Sequence, residues 1–181
     1  MEKWKTVGSR VIHRDKWISL RADACELPSG RILDPFYVVE QKDSVHVVAI
    51  DSTGRVLTTR QYRHAGDSIC REIPCGVVEP GEPPLAAGQR ELKEETGHLA
   101  ASWTPLISPF ANPARFTNRI HCFLARDLTD TSVRALDDSE EIDFEWMDAD
   151  EVRKRIFNGE FSQALHIASV YAAWDYLRGG K

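Results

Sequence analysis

Within RELKEETG, residues 90–97, three glutamates (Glu91, Glu94 and Glu95) fall within five positions, with Arg90 and Lys93 among them. If the stretch is helical, Glu91 and Glu95 share one face and Glu94 lies on a neighbouring line. Like charges at that spacing cost about 0.2–0.5 kcal/mol per pair. A solvated face, diluted by Arg90 and Lys93, accounts for such a cluster. So does a divalent cation, because Mg2+ and Mn2+ take hard oxygen ligands and adjacent carboxylates supply them. The cluster leaves both readings open, and the residues around it decide.

The glutamates need a helix to carry them. Pro83 and Pro84 suit its first turn, where a missing N–H is harmless, and Gly97 suits its end as a C′ glycine. Leu85, Ala86, Gln89 and Leu92 are expected on its inner side. Upstream, residues 10–40 alternate loosely, turn at PSGR (28–31) and continue in the strand ILDPFYVVEQ. SVHVVAID (44–51) and VLTTRQYRH (56–64) flank the turn STGR and read as a hairpin. REIPCGVV (71–78) reads as one short strand ending near Gly76.

Downstream, residues 103–118 read mostly as loop or irregular strand. RIHCFLARDL (119–128) and EEIDFEWMD (140–148) read as strands, the latter alternating Ile142, Phe144 and Trp146. Two helices follow; the second carries Ala164, Ile167, Ala168, Tyr171 and Ala172 at helical spacing. Strands, a central helix and a C-terminal helix pair predict an α/β fold, an α/β/α sandwich around a mixed sheet.

At 181 residues the chain suits one domain, or one domain with a small appendage. A net charge of −5 argues against a nucleic-acid partner. No apolar run approaches the roughly 18 residues of a membrane span. The start, MEKWKTVGSR, lacks the apolar core of a secretory signal. Cys25, Cys70, Cys75 and Cys122 match no zinc-binding spacing, so reduced thiols and a cytoplasmic location are expected.

Extended upstream, the glutamate stretch becomes GVVEPGEPPLAAGQRELKEETGH, residues 76–98. It resembles the Nudix box, G-x5-E-x7-R-E-U-x-E-E-x-G-U, where U is a bulky aliphatic. Gly76, Glu82, Arg90, Glu91, Leu92, Glu94, Glu95 and Gly97 match at the required spacing; His98 departs at the last position, and Leu99 follows it. The resemblance implies a Nudix fold, with Glu91, Glu94 and Glu95 holding divalent metal, Mg2+ or its substitute Mn2+. It adds the backbone carbonyl of Cys75 to those ligands. Glu94 and Glu95 count with the catalytic residues. Arg90 would orient the carboxylates, and Glu82 would support the loop, with an outer metal as the alternative.

Stretches outside the box resemble the ADP-ribose and nucleoside diphosphate sugar pyrophosphatases of that superfamily. TTRQYRHAGDSICREIPCG (58–76) is similar to their Q-[YF]-R … E-[LIF]-P-A-G pattern, with Arg63 and Glu72 in its Arg and Glu positions. A guanidinium matches phosphate oxygens bidentately, which makes Arg63 a phosphate ligand or else a surface salt bridge; Arg60 is a further candidate. Pro113 lies fifteen residues beyond the box, as in ADP-ribose pyrophosphatases, but in Asn112-Pro113-Ala114 rather than S-P-G, and Asn118 replaces an acid. That departure favours a broader sugar-nucleotide range.

The resemblance implies a glutamate from the acidic loop near residue 140 as catalytic base or metal-linked residue, Glu140 first and Glu141 next, with a solvated acidic loop as the ordinary alternative for each. It also implies an N-terminal β extension (1–42) ahead of the hydrolase domain (43–181), exchanged across a homodimer and covering the adenine. Trp17 and Phe36 are candidates to stack on the base, with core or dimer packing as the ordinary alternative for each. The implied activity is Mg2+-dependent cleavage of ADP-ribose or a related nucleoside diphosphate sugar. The rivals are a nucleoside triphosphate pyrophosphohydrolase and a non-catalytic Nudix-fold sensor.

Overall fold

Tight turns carry the first forty residues through three antiparallel strands. β1 (Lys5–Arg14), β2 (Ser19–Glu26) and β3 (Ile32–Glu40) form a sheet in that order. The first turn is built on Asp15, whose Oδ1 accepts the amides of Trp17 and Ile18 at 2.7 and 2.8 Å. The second is PSGR, with Gly30 at φ 79°. In the computed structural model, which describes residues 1–136 and 141–180, the chain divides into two compact units. The first joins Met1–Asp43 to Phe110–Arg119; the second joins Ser44–Pro109 to Ile120–Lys181. Within the first unit the Val39 amide donates to Arg115 O at 2.8 Å, and the Arg119 amide donates to Asp43 Oδ1 at 2.7 Å.

The second unit runs β4 (Ser44–Ala49), β5 (Val56–Arg63), β6 (Ser68–Glu72), β7 (Cys75–Val77), α1 (Pro84–Thr96), β8 (His98–Pro105), β9 (Ile120–Asp130), β10 (Asp143–Met147), α2 (Ala149–Phe157) and α3 (Ala164–Leu177). One sheet has the order β7-β4-β9-β8, with β4 parallel to β9 and the other pairs antiparallel. A second has the antiparallel order β10-β5-β6. Period-two alternation sends Val45, Val47 and Ala49 of β4, with Phe123 and Ala125 of β9, towards Ala87 and Leu92 of α1. Val48, Cys122 and Leu124 turn the other way, onto Val152 of α2 and Val170 and Ala173 of α3. This is the expected α/β/α sandwich around a mixed sheet. Among the described residues no helix is long and apolar enough to cross a membrane.

Several local expectations are corrected. The stretch 44–64 is not a paired hairpin. Its turn forms, with Asp51 accepting from Thr53 and Arg55, but beyond the single Ile50–Val56 bridge the strands enter different sheets. The stretch 71–78 is likewise split at Ile73–Pro74: β6 pairs with β5, and β7 with β4. Residues 98–105 form the regular strand β8, so the irregular segment begins only after Pro105.

The inner face of α1 is Ala87, Gly88, Glu91, Leu92, Glu95 and Thr96, while Leu85 and Gln89 are exposed. Two glutamates occupy core-facing positions there, so hydrophobicity misplaces the stripe. For the same reason α3 buries His166, Ser169, Val170 and Ala173, whereas Ala164, Ala168 and Tyr171 are exposed.

Candidate active site

The site is assembled where α1 lies against β7. Gly76 of β7 faces Glu91 so closely that a Cβ there would stand 2.0 Å from the Glu91 Cδ and Oε1. The carboxylate thus fills space that only glycine leaves open. One turn further along, Glu95 Oε2 accepts the Cys75 amide at 3.3 Å. Both glutamates are buried, and both are set against the same two backbone residues.

Arg90 gathers the rest. Its Nη1 donates to Glu91 Oε1 at 2.7 Å and to Glu94 Oε2 at 3.0 Å. Its Nε and Nη2 grip Glu82 at 3.0 and 3.1 Å, and Nη2 also reaches Val77 O at 2.9 Å. These carboxylates hold the guanidinium firmly protonated, Glu82 first among them. Glu82 in turn accepts the Glu79 amide at 3.0 Å, closing the loop before α1. Arg90 and Glu79 together hold the Glu82 carboxyl below its ordinary range. Glu82 therefore braces the loop and Arg90. The hard oxygen donors of Glu91, Glu94 and Glu95, around a cradle that a Cβ would fill, suit a divalent cation.

Beside this cluster sits a second ion pair. Arg63, at the end of β5, donates through Nε to Glu72 Oε1 at 2.8 Å and through Nη2 to Glu72 Oε2 at 2.5 Å. The Arg63 side chain is 40% exposed and that of Glu72 only 2%. Glu72 thus anchors Arg63 from beneath and leaves one edge of the guanidinium to solvent. Arg63 Nη2 also lies 3.8 Å from Cys75 Sγ, which ties the pair to the residue whose amide Glu95 accepts. Burial, with Glu95 and Glu72 nearby, pushes the Cys75 thiol well up.

The remaining expected residues are distributed as follows. Arg60 is three positions from Arg63 on the same strand, an odd separation that turns it to the opposite face; there it pairs with Asp143 across β10 at 3.1 Å. The structure therefore does not bring Arg60 to the cluster. Trp17 is exposed at the β1–β2 turn under the Lys16 ammonium. Phe36 meets Trp4 edge to face at 5.9 Å and the Arg115 guanidinium at 5.2 Å. Pro113 sits in a turn whose Asn112 O accepts from Arg115 and Phe116. These last three belong to the first unit.

Glu140 lies outside the described residues, and Glu141 is exposed. The segments flanking 137–140 are fastened to the end of α1. The Ala135 amide donates to Glu94 O at 3.0 Å, Arg134 Nε donates to Glu95 O at 2.7 Å, and Arg134 Nη2 bonds Ile142 O.

Two contributors carried no sequence signal. Arg134 lies just ahead of the acidic run that starts at Asp137, where a positive charge reads as solvation. His166 sits in an apolar helix, where it reads as an interruption. It lies behind Glu72, its Nε2 3.7 Å from Glu72 Oε2.

Two family models match the chain, and the longer one includes Phe110–Arg119 of the first unit. The NUDIX domain model matches residues 40–165, and the model of the nucleoside diphosphate sugar hydrolase N-terminal domain matches residues 4–39. The chain is 30% identical over 178 residues to the ADP-ribose pyrophosphatase of Mycobacterium tuberculosis, covering 97% of this chain and 86% of that one. It is 32% identical over 125 residues to the ADP-ribose pyrophosphatase of Bacillus subtilis, covering 69% and 67%. Among solved structures, that of an ADP compounds hydrolase superposes with a TM-score of 0.88 at 20% identity, over 99% of this chain and 96% of the other; this likeness concerns the fold.

Proposed function

The chain belongs to the Nudix family, and from that membership we propose that it hydrolyses the pyrophosphate bond of ADP-ribose or a related nucleoside diphosphate sugar. The products are a nucleoside monophosphate and a sugar phosphate. One juxtaposition carries the reading: Glu91 and Glu95 set against Cys75–Gly76, with Arg63 reaching the same Cys75. A cation pocket thus adjoins a guanidinium with an open edge, as an anionic diphosphate requires. The relatives named ADP-ribose pyrophosphatase and the N-terminal match support a sugar-linked diphosphate.

Glu91, Glu94 and Glu95 would hold the metal, Mg2+ with Mn2+ as a substitute, together with the carbonyl of Cys75. When bound, such a cation neutralises phosphate charge and lowers the pKa of a coordinated water. Arg90 holds Glu91 and Glu94 together, and the Cys75 amide holds Glu95 beside them, so little rearrangement is needed when substrate arrives. Arg63 binds phosphate oxygens through the exposed part of its guanidinium.

In the reaction a water oxygen forms a new bond to phosphorus as the bridging P–O bond breaks. The water's proton passes to a base, and the second phosphate leaves with the bridging oxygen. We assign the base to Glu140, or to Glu141 in its place. The fastening of the flanking segments to Glu94 and Glu95 through Ala135 and Arg134 supports that assignment. The N-terminal sheet is assigned to a homodimer contact, which sedimentation velocity would check.

The test is a hydrolysis panel with Mg2+, covering ADP-ribose, ADP-glucose, UDP-glucose, GDP-mannose, NADH, diadenosine polyphosphates, ATP and 8-oxo-dGTP, with products separated by chromatography. AMP and ribose 5-phosphate from ADP-ribose, with much weaker triphosphate cleavage, are expected. Preference for a triphosphate would overturn the substrate class. Tight binding without cleavage would mark a sensor.

A further inference from the structure

Glu72 has more donors around it than it bonds. Its two oxygens accept from Arg63, and two further groups face Oε2: Cys75 Sγ at 4.0 Å and His166 Nε2 at 3.7 Å. His166 is fully buried, and among the described residues its Nε2 has no hydrogen-bond partner. A buried polar atom without a partner is uncommon and calls for a reason.

The hydrogen-bond network fixes which nitrogen carries the proton. The Ile73 amide donates to His166 Nδ1 at 3.2 Å, so Nδ1 is the acceptor and Nε2 bears hydrogen. Burial, then the Arg63 charge, keeps the ring neutral, with its pKa pulled down to about 3. The ring plane is held by stacking on His46, centroids 4.1 Å apart at 28°. His46 is itself fixed: Ser169 Oγ donates to Leu165 O at 3.0 Å, so it accepts from His46 Nδ1 at 3.0 Å. A neutral N–H donor is thereby locked in place and aimed at Glu72.

Glu72, Cys75 and His166 offer ligand atoms within 4.8 Å of one another, a spacing open to a metal ion. Coordination through Nε2 would leave the ring without either proton or strand the Ile73 amide. The three groups fit better as a carboxylate and its surrounding donors.

We propose that His166 is a positioning residue for the hydrolysis. Its Nε2–H is a reserve donor that takes up Glu72 Oε2 when Arg63 Nη2 turns to a substrate phosphate. A carboxylate movement of about 0.8 Å closes the present gap to an ordinary hydrogen bond. Glu72 then stays satisfied while Arg63 is shared, so the guanidinium swings at small cost. This rests on Arg63 being a phosphate ligand, as in the proposed function.

Two substitutions separate positioning from space-filling. In His166→Asn the amide oxygen still accepts from Ile73, but no donor from position 166 reaches Glu72. In His166→Gln the amide nitrogen stands near the position of Nε2 and the donor is kept. H166N is expected to raise KM for ADP-ribose by about tenfold with kcat within about twofold, and H166Q to stay within about threefold of the parent in both. In an Arg63→Ala background H166N should add nothing, because the two act as one unit.

Equal losses in H166N and H166Q, or an H166N effect undiminished by R63A, would overturn the proposal. An unchanged KM in R63A alone would refute the phosphate role of Arg63. A raised KM in R63A with H166N silent would refute only the role of His166. Should H166N not fold, the unmodified protein decides. The imidazole Nε2–H proton resonance should move downfield when a methylene-bridged ADP-ribose analogue binds, and an unmoved resonance would sink the idea.

Discussion

At position 76 the chain needs the absence of a side chain. The Glu91 carboxylate occupies the space a Cβ would take, and it can swing away because it is the far end of a flexible side chain. Gly76→Ala is therefore expected to fold with a melting temperature near that of the parent, yet to lose about 100-fold or more in activity at limiting Mg2+. Calorimetry and a metal titration would check both halves. Glu95→Gln keeps the shape and an acceptor for the Cys75 amide but removes the charge. Turnover should fall at least about 100-fold with the circular dichroism spectrum unchanged; near-normal activity in folded protein would remove Glu95 from the metal site. The glutamates and Arg90 were legible through their match to the Nudix box, since their helical spacing alone fitted a solvated face equally well. Arg134 and His166 were not, because both act through backbone groups or residues far away in sequence: Ile142 and Glu95 for the first, Ile73 and Glu72 for the second.

At the scale of elements, parity decides what a strand presents. Arg63 filled the motif position and Arg60 was a further candidate, but an odd separation puts Arg60 with Asp143 on the other face. The same arithmetic made β10 readable, whereas for α1 and α3 polar groups on the buried face defeated it. Turns were legible too; strand partners were not, since nothing local says that β4 pairs with β9 rather than β5. The N-terminal sheet carries its own electrostatic brace. Glu40 accepts from Ser19 at 2.6 Å, Arg21 at 2.6 Å and Arg14 at 3.0 Å, and these bonds lower its pKa from 4.5 to about 2. With the folded value depressed, the native state binds fewer protons than the unfolded chain between those limits. The contribution is complete above pH 4.5 and is lost as pH falls through about 2. Protection of β2 and β3 amides against hydrogen exchange, taken relative to the intrinsic rate at each pH, should fall across that window, and Glu40→Gln should flatten the dependence; an equally steep profile in E40Q would assign the loss to other groups.

For the whole molecule, the layer architecture followed from the order of elements and their periodicity. Membership of Phe110–Arg119 in the first unit did not, because it depends on contacts across some seventy residues, such as Val39 with Arg115. That discontinuity bears on how the protein is made. Synthesis runs from the N-terminus, yet the first unit lacks its last segment until Arg119 has emerged, and β4 lacks its parallel partner until β9 has followed. Long-range pairing of this kind must wait for the chain to close a large loop. Ribosome-bound chains exposed only as far as Pro109 should be cut by protease within Met1–Asp43, and chains exposed past Asp130 should resist. The interval between those two lengths is when the apolar strand Ser44–Ala49 stands without β9, and it is the stage of biosynthesis at which a chaperone would have most to do.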